Sequence, residues 1–506
     1  MFIGVDVGTS GTKAGLFDER GRLLARHHVS HSVVYPAPNH AEHDAEAIWW
    51  AETTLCVRNI VEQIPAASSG VAGIACSGLG AALVPVDGEG RALRPAILYG
   101  IDGRAEAEIH ELNEAFGEDR ILRRGGARLT SQSMGPKLVW LAEHEPDVLA
   151  ATACVLSTNS FLVRRMTGES VMDTTTAMFY TPFYDFRRDR WNYEWIREAG
   201  LPPSLFPRVT EPSRQVGTLA ADVAAEMGLA SGVPVIAGTI DTYAECVGSG
   251  VERSGEALLV YGSSMTVLGV VEEQKPHESL WLGRHYRPGT YSLIGAMATS
   301  GALIGWLREL TSGAGGEAIA PGELEAQLNP EAAAIEPGSD GLLALPYFLG
   351  ERTLIEDPDA RGVLVGLTLK HTTAHVYRAL LEAVAFAARH NVEEFRRLGF
   401  PLEQVVATGG GTLNRLWVQI ISDVTGLAQT VSEDRHAVLR GNARMAAEAV
   451  AGRSGVSHGR GAGESWSLGG TRVVPDAEAT AAYDELFPIF RELYSTTAPI
   501  VHRLGR

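Results

Sequence analysis

The sequence predicts an α/β protein with mixed sheets, built from two duplicated domains that face one another. Three observations lead there. The chain has 506 residues, which suits two or three domains. Strand and helix signals alternate along most of its length. An opening motif of strand, small-residue turn and strand recurs about 250 residues later, at the head of the second half.

The elements follow in order. Phe2–Val7 and Thr12–Phe17 are β-branched or apolar runs separated by Gly8-Thr9-Ser10-Gly11. Asp18-Glu19-Arg20-Gly21 reads as a second turn and Leu23–Val34 as a third strand, so the chain opens as an antiparallel meander. A helix is expected over Ala45–Ile64, with Ile48, Leu55 and Val61 turned inward. Strands at Val71–Cys76 and Ala81–Val86 flank Ser77-Gly78-Leu79-Gly80. Helices are predicted at Leu138–Glu143 and Asn159–Met166, around an extended Cys154–Leu156. Val233–Ala237 reads as a buried strand, and a helix opens at Asp241–Val247. The echo is Glu256–Tyr261, the turn Gly262-Ser263-Ser264, and Met265–Val271. Ala374–Leu398 carries Val376, Leu380, Val384, Ala387 and Phe395 on one helical stripe. Val405–Ala407 is a strand, Arg415–Thr425 a helix, and Gly452–Gly470 a flexible surface loop. The domain boundary is placed between residues 250 and 251.

Composition narrows the function. Hydrophobic residues make up 45% and charged residues 21%, the usual globular mix. A net charge of −18 argues against a nucleic-acid or anionic-membrane partner, both of which need a basic surface. The opening MFIGVDVGTSGTKAG lacks the basic and apolar regions of a secretory leader, and no apolar run is long enough to span a bilayer. Cys56, Cys76, Cys154 and Cys246 show no CxxC spacing and read as reduced, buried thiols. A cytoplasmic protein is the expectation. His27, His28 and His31 are read as a solvated strand rather than a metal site, and Trp49 and Trp50 as core.

Three small-residue loops carry the chemistry. In Gly8-Thr9-Ser10-Gly11-Thr12-Lys13, glycines let the backbone approach an anion while hydroxyls and amides donate to it. It is not a Walker loop, because a strand follows instead of a helix. Asp6, ending the first strand, would address the same place, which makes sense if Mg²⁺ lies between it and a phosphate. An ordinary hairpin with a capping Asp accounts for the same residues. Asp241, in Gly238-Thr239-Ile240-Asp241-Thr242, stands after a buried strand, where open α/β sheets keep their ligands. It could take the proton of an attacking hydroxyl, or simply cap a helix. Gly409-Gly410-Gly411-Thr412-Leu413-Asn414 leaves a flat backbone suited to a base and ribose, or is a plain loop.

Taken together, these strings resemble the FGGY family of carbohydrate kinases, most nearly its xylulokinase-like branch. The resemblance runs through IGVDVGTSGTKAGLFD, AEHDAEAIWW, LRPAILYGIDGR, PKLVWLAEHEP, PVIAGTIDTYAECVGSG, LLVYGSSMTVLG, ALPYFLGERT, TGGGTLNRLWVQIISDVTG and GNARMAAEAV, in the family's order. It implies two actin-like (ribonuclease H-like) domains around a central cleft, with ATP and Mg²⁺ required and a sugar or polyol as substrate. The N-terminal domain would hold the sugar and the C-terminal one the nucleotide. Asp241 falls on the family's catalytic base and Asp6 on its metal-associated acid. Gly8, Thr9, Ser10, Thr12 and Lys13 match the first phosphate loop, and Ser263 and Ser264 the second. Gly301 matches a glycine that lines the nucleotide site, and Gly410, Gly411 and Asn414 match the adenosine-side loop. Asp102, Arg104 and Gln132 are candidate sugar contacts, with Arg104 alternatively a structural residue, and a homodimer is left open. Gly78 and Leu79 stand where the xylulokinase-like branch places a Met-His grip on the sugar, so D-xylulose is not expected to be the best substrate. Two rivals remain: an actin-like ATPase of the chaperone or filament type, and a non-catalytic sugar-binding member of the family.

Overall fold

The computed structural model describes residues 1–312, 319–453, 466 and 469–504. The expected loop Gly452–Gly470 lies almost wholly outside them. Two seven-stranded sheets organise the chain, and their strand logic is the same. In the first, Leu23–Ser30, Gly11–Phe17 and Phe2–Val7 form the antiparallel meander. Gly73–Gly78 and Pro234–Ile236 then add in parallel, and Gln215–Thr218 closes antiparallel. In the second, Tyr291–Met297, Met265–Val271 and Glu256–Tyr261 form the meander. Gln404–Thr408 and Gln429–Ser432 add in parallel, and Gly470–Val473 closes antiparallel. The echo of the two hairpins in the sequence is therefore an echo of whole sheets.

Most elements lie where the residues place them. The helix predicted over Ala45–Ile64 instead begins as a π-helical segment, Ala45–Trp50, capped by Asp44, and continues as an α-helix over Ala51–Gln63. The extra residue in a π turn rotates the buried face. Cys56, Val57, Ile60 and Val61 turn inward, while Leu55, expected inside, is 44% exposed. The third strand stops at Ser30 rather than Val34, and Val34 keeps only an isolated bridge to Glu42. Trp49 and Trp50 are core, and all four cysteines are free and buried. Burial pushes Cys56 and Cys76 up to about 12, which leaves no reactive thiolate.

One helix ties the halves together. Ala437–Arg453 lies in the chain between the last two strands of the second sheet but packs on the first, beside the helix Asp241–Ser249. The approach is as close as backbone allows. A side chain at Gly4 would lie 2.0 Å from the Leu439 carbonyl oxygen, and one at Gly441 only 1.8 Å from that of Ala244. Glycine is obligatory at both places. Among the described residues, no helix is long and apolar enough to cross a membrane.

Candidate active site

The first hairpin supplies the charged part of the site. Asp6 pairs in register with Lys13 on one side and Ser77 on the other, so their side chains share one sheet face. Asp6 is 3% exposed, and its Oδ1 accepts a 2.8 Å hydrogen bond from Ser77 Oγ. Asn442, on the returning helix, donates to Ser77 Oγ at 2.7 Å and to the Val5 carbonyl at 2.8 Å. Burial holds the Asp6 carboxyl above the usual range, with Lys13 and Ser77 pulling the other way. Thr12 pairs with Val7 and so faces the opposite side. It is fully buried, and its hydroxyl does not reach the cleft. Of the expected phosphate residues here, Gly8, Thr9, Ser10 and Lys13 remain accessible.

The turn is braced from behind by His31, which does not sit on a solvated strand as expected. It lies beyond the strand end, buried, with Nδ1 2.8 Å from Glu52 and Nε2 3.0 Å from the Gly8 carbonyl oxygen.

Asp241 is the first residue of the helix Asp241–Ser249. Its Oδ1 accepts from the Thr242 amide at 2.7 Å and the Thr242 hydroxyl at 3.2 Å, while Oδ2 has no hydrogen-bond partner among the described residues. Burial, then the charge of Asp6, pushes this carboxyl up to about 7. Glu245 stands one turn on, on the same helix face. Its carboxyl too is raised, by burial and by Asp6, against the pull of Lys13. Three acids thus share one region with a single lysine.

The expected sugar contacts divide. A cavity of about 630 Å³ lies between residues 100–137 of the first half and 277–358 of the second, and Asp102 and Gln132 line it. Gln132 is anchored by the Gly100 amide, which donates to its Oε1 at 3.2 Å. Asp102 is fully buried and its carboxylate is consumed by the Ala41 amide at 2.6 Å and by Arg104 at 2.7 Å. Arg104 also holds Glu42 at 2.8 Å and stacks 4.8 Å from the centre of the Trp140 ring. These two are a buried brace rather than free sugar ligands. Gly78 and Leu79 do not reach the cavity either. A side chain at Gly78 would lie 2.4 Å from Thr158 Cβ, and Leu79 is 1% exposed in the core. The residue of that turn with open space beyond it is Gly80.

Tyr99 joins the cavity rim to the phosphate turn, its hydroxyl 3.1 Å from Thr9 Oγ1. Besides burial, Asp241 and Arg352 lie close enough to shift that hydroxyl in opposite directions, so the second half reaches this point. Lys137, buried in the cavity wall, donates to the carbonyls of Leu98 at 2.6 Å and Tyr99 at 2.8 Å, and burial pulls its ammonium down to about 7. Tyr99, Lys137, Ser77, Asn442 and Glu245 all escaped the sequence reading. The signal for Glu245 was present, four residues after Asp241 on a helix; the others are assembled only by the fold.

On the opposite side, the turn after Glu256–Tyr261 gathers the nucleotide candidates. The Gly301 amide donates to the Gly262 carbonyl at 3.0 Å, and a side chain at Gly301 would lie 2.7 Å from that oxygen. Gly409 (φ +90°) packs as closely on Tyr261. Gly301 is therefore needed for packing of the helix Gly301–Thr311 against the hairpin. Ser263 and Gly410 are exposed, and Ser264 and Gly411 half-buried. Asn414 is a helix cap, accepting from the Trp417 amide at 3.2 Å and donating to the Tyr377 hydroxyl at 2.6 Å.

Comparison with known proteins settles the family. Residues 1–248 match the N-terminal domain of the FGGY family of carbohydrate kinases, and residues 257–450 its C-terminal domain. A xylulose kinase of Escherichia coli is 31% identical over 99% of this chain and 100% of its own. A glycerol kinase of Nocardia farcinica is 30% identical over 83% and 84%. The crystal structure of xylulose kinase from Rhodospirillum rubrum superposes with a TM-score of 0.89 at 33% identity, covering 99% of both chains. The actin-like chaperone or filament ATPase is set aside: the chain belongs to the FGGY family of carbohydrate kinases and is an ATP-dependent carbohydrate kinase.

Proposed function

We propose that Asp241 takes the proton of a sugar or polyol hydroxyl held in the cavity while that oxygen attacks the γ-phosphorus of ATP. The observation that carries this is the state of Asp241: a carboxylate at a helix start, one oxygen free, poised by burial near about 7. A carboxyl raised in this way accepts a proton more readily than an ordinary one and can still return it.

The nucleotide phosphates would lie between the two hairpin turns, received by the amides and hydroxyls of Gly8–Ser10 and Ser263–Ser264, with Lys13 the side-chain cation at hand. The base and ribose would rest on Gly410 and Gly411. Asp6, Asp241 and Glu245 are hard oxygen donors short of positive charge, but they do not converge closely enough to grip an ion together, which fits Mg²⁺ held by Asp6 through water. The ion would supply charge neutralisation on the phosphates. Closure of the halves would exclude water and limit wasteful hydrolysis of ATP.

For the substrate, only Gly80 of the turn after Gly73–Gly78 has open space beyond it, and it carries no side chain, so a sugar hydroxyl there would find no side-chain partner. We therefore place D-xylulose below at least one other pentulose, polyol or sugar acid. The test is kcat/KM across such a panel in a coupled ADP-release assay, with Asp241→Asn as control. ATP turnover that ignores every added sugar would overturn the kinase reading, and a clear preference for D-xylulose would overturn the substrate assignment alone.

A further inference from the structure

A second concavity, of about 250 Å³, is lined by Arg120, Arg123, Arg124, Arg187, Arg188 and a single acid, Asp185. On a protein of net charge −18 this is an anomaly. Five guanidiniums stand against Asp185 in the lining and Glu194 beside Arg124, a local excess of three positive charges. Arg120, Arg123 and Arg187 have no acidic partner among the described residues, and the other two reach one only at 3.9 Å. Like charges gathered without partners cost stability unless something offsets them.

The arrangement has two walls. Arg120, Arg123 and Arg124 stand on the helix Glu118–Gly125, and Arg187 and Arg188 on the turn between the strands Tyr184–Asp185 and Arg190–Trp191. The helical wall is stiffened from below. Arg120 and Arg124 both stack on Trp195, at 5.4 and 4.8 Å, and Trp195 stacks in turn on Phe116 at 4.7 Å. The two walls are tied by the Phe186 amide, which donates to the Arg124 carbonyl at 2.8 Å. Planar forks held at fixed positions suit phosphate oxygens better than diffuse charge does.

We propose that this concavity is a binding site for a small anion carrying two phosphate groups, one on each wall, distinct from the catalytic cleft. None of its residues lines the large cavity or belongs to the hairpin turns. Its volume admits a small molecule, and two phosphates would match the local charge.

The probe is inorganic pyrophosphate, titrated calorimetrically into the full-length protein without Mg²⁺ or nucleotide; the hairpin turns are common to wild type and the variant below, so the difference between them reads this concavity. Wild type should bind pyrophosphate, with an affinity that falls as salt rises. The double variant Arg123→Ala/Arg187→Ala, which spares both arginines on Trp195, should lose at least about tenfold in that affinity. Its ATP affinity and its turnover should stay within about twofold of wild type. Inorganic phosphate should bind more weakly than pyrophosphate. No saturable binding to wild type, or equal binding to the double variant, overturns the site. Equal affinity for phosphate and pyrophosphate, or tighter capture of a single-stranded oligonucleotide, overturns the assigned ligand class.

Discussion

The two hairpins at the heads of the two sheets share topology and differ in chemistry. Gly8–Lys13 sits among ionisable side chains: Asp6 beside it, Lys13 within it, Asp241 and Glu245 close enough to feel Asp6. Gly262–Ser264 offers hydroxyls and backbone, and its own carbonyls are occupied by the amides of Ser300, Gly301 and Ala302. A duplicated fold has divided its labour. One copy gathers the ionisable groups, and the other a neutral turn of hydroxyls and backbone that is cheaper to keep folded. Buried like charges raise each other's pKa and weaken the native state, so the first copy bears a cost that the second avoids.

The sharpest way to break this comparison is to neutralise the charged side. Asp241→Asn should lower kcat by roughly 10²–10⁴-fold with ATP affinity nearly unchanged, measured by ADP release and calorimetry. Turnover within about threefold of wild type would remove Asp241 from the chemistry. Asp6→Ala comes next: activity should vanish or demand much more Mg²⁺, while sugar binding without nucleotide changes little in titration.

Gly441→Ala should destabilise the protein by roughly 1–3 kcal/mol or more, because its new carbon meets the Ala244 carbonyl oxygen at 1.8 Å; thermal melting reads this directly. The same Asp241→Asn protein should melt higher than wild type above about pH 7. The sign follows from the raised pKa. The folded state holds a proton that the unfolded chain has released, so wild-type stability falls as pH rises from the ordinary carboxylate range through about 7. The gain should fade on acidification, and equal melting curves at pH 8 would contradict the cost assigned to the first hairpin. The smallest effect expected is in Glu245→Gln. Removing that negative neighbour should move the acid limb of the kcat profile to lower pH, by a fraction of a unit.

How much of this was legible beforehand depends on sequence distance. Glu256–Tyr261 and Met265–Val271 lie where the residues placed them, because alternation and turn chemistry are local. Asp6 and Asp241 could be singled out for the same reason: each stands at a strand or helix terminus beside glycines. The Asp6–Ser77–Asn442 chain could not, since it joins segments as much as 437 residues apart. Gly78 and Leu79 were misplaced because the strand runs to Gly78, two residues past the expected end, and carries both into the core. Leu55 was misplaced by the π turn, whose extra residue leaves no mark in hydrophobic spacing.

The helix Ala437–Arg453 has a consequence for how the molecule comes off the ribosome. Phe2, Phe17, Ala75 and Ile236 bury their side chains with Leu439, Ala443 and Ala446, residues synthesised last but for about the final eighth of the chain. Until they emerge, the first sheet must wait with one greasy face uncovered. Folding of this protein cannot proceed as one finished domain followed by another. A fragment ending near residue 250 should behave as a sticky intermediate and should recover solubility when the missing helix is supplied in trans.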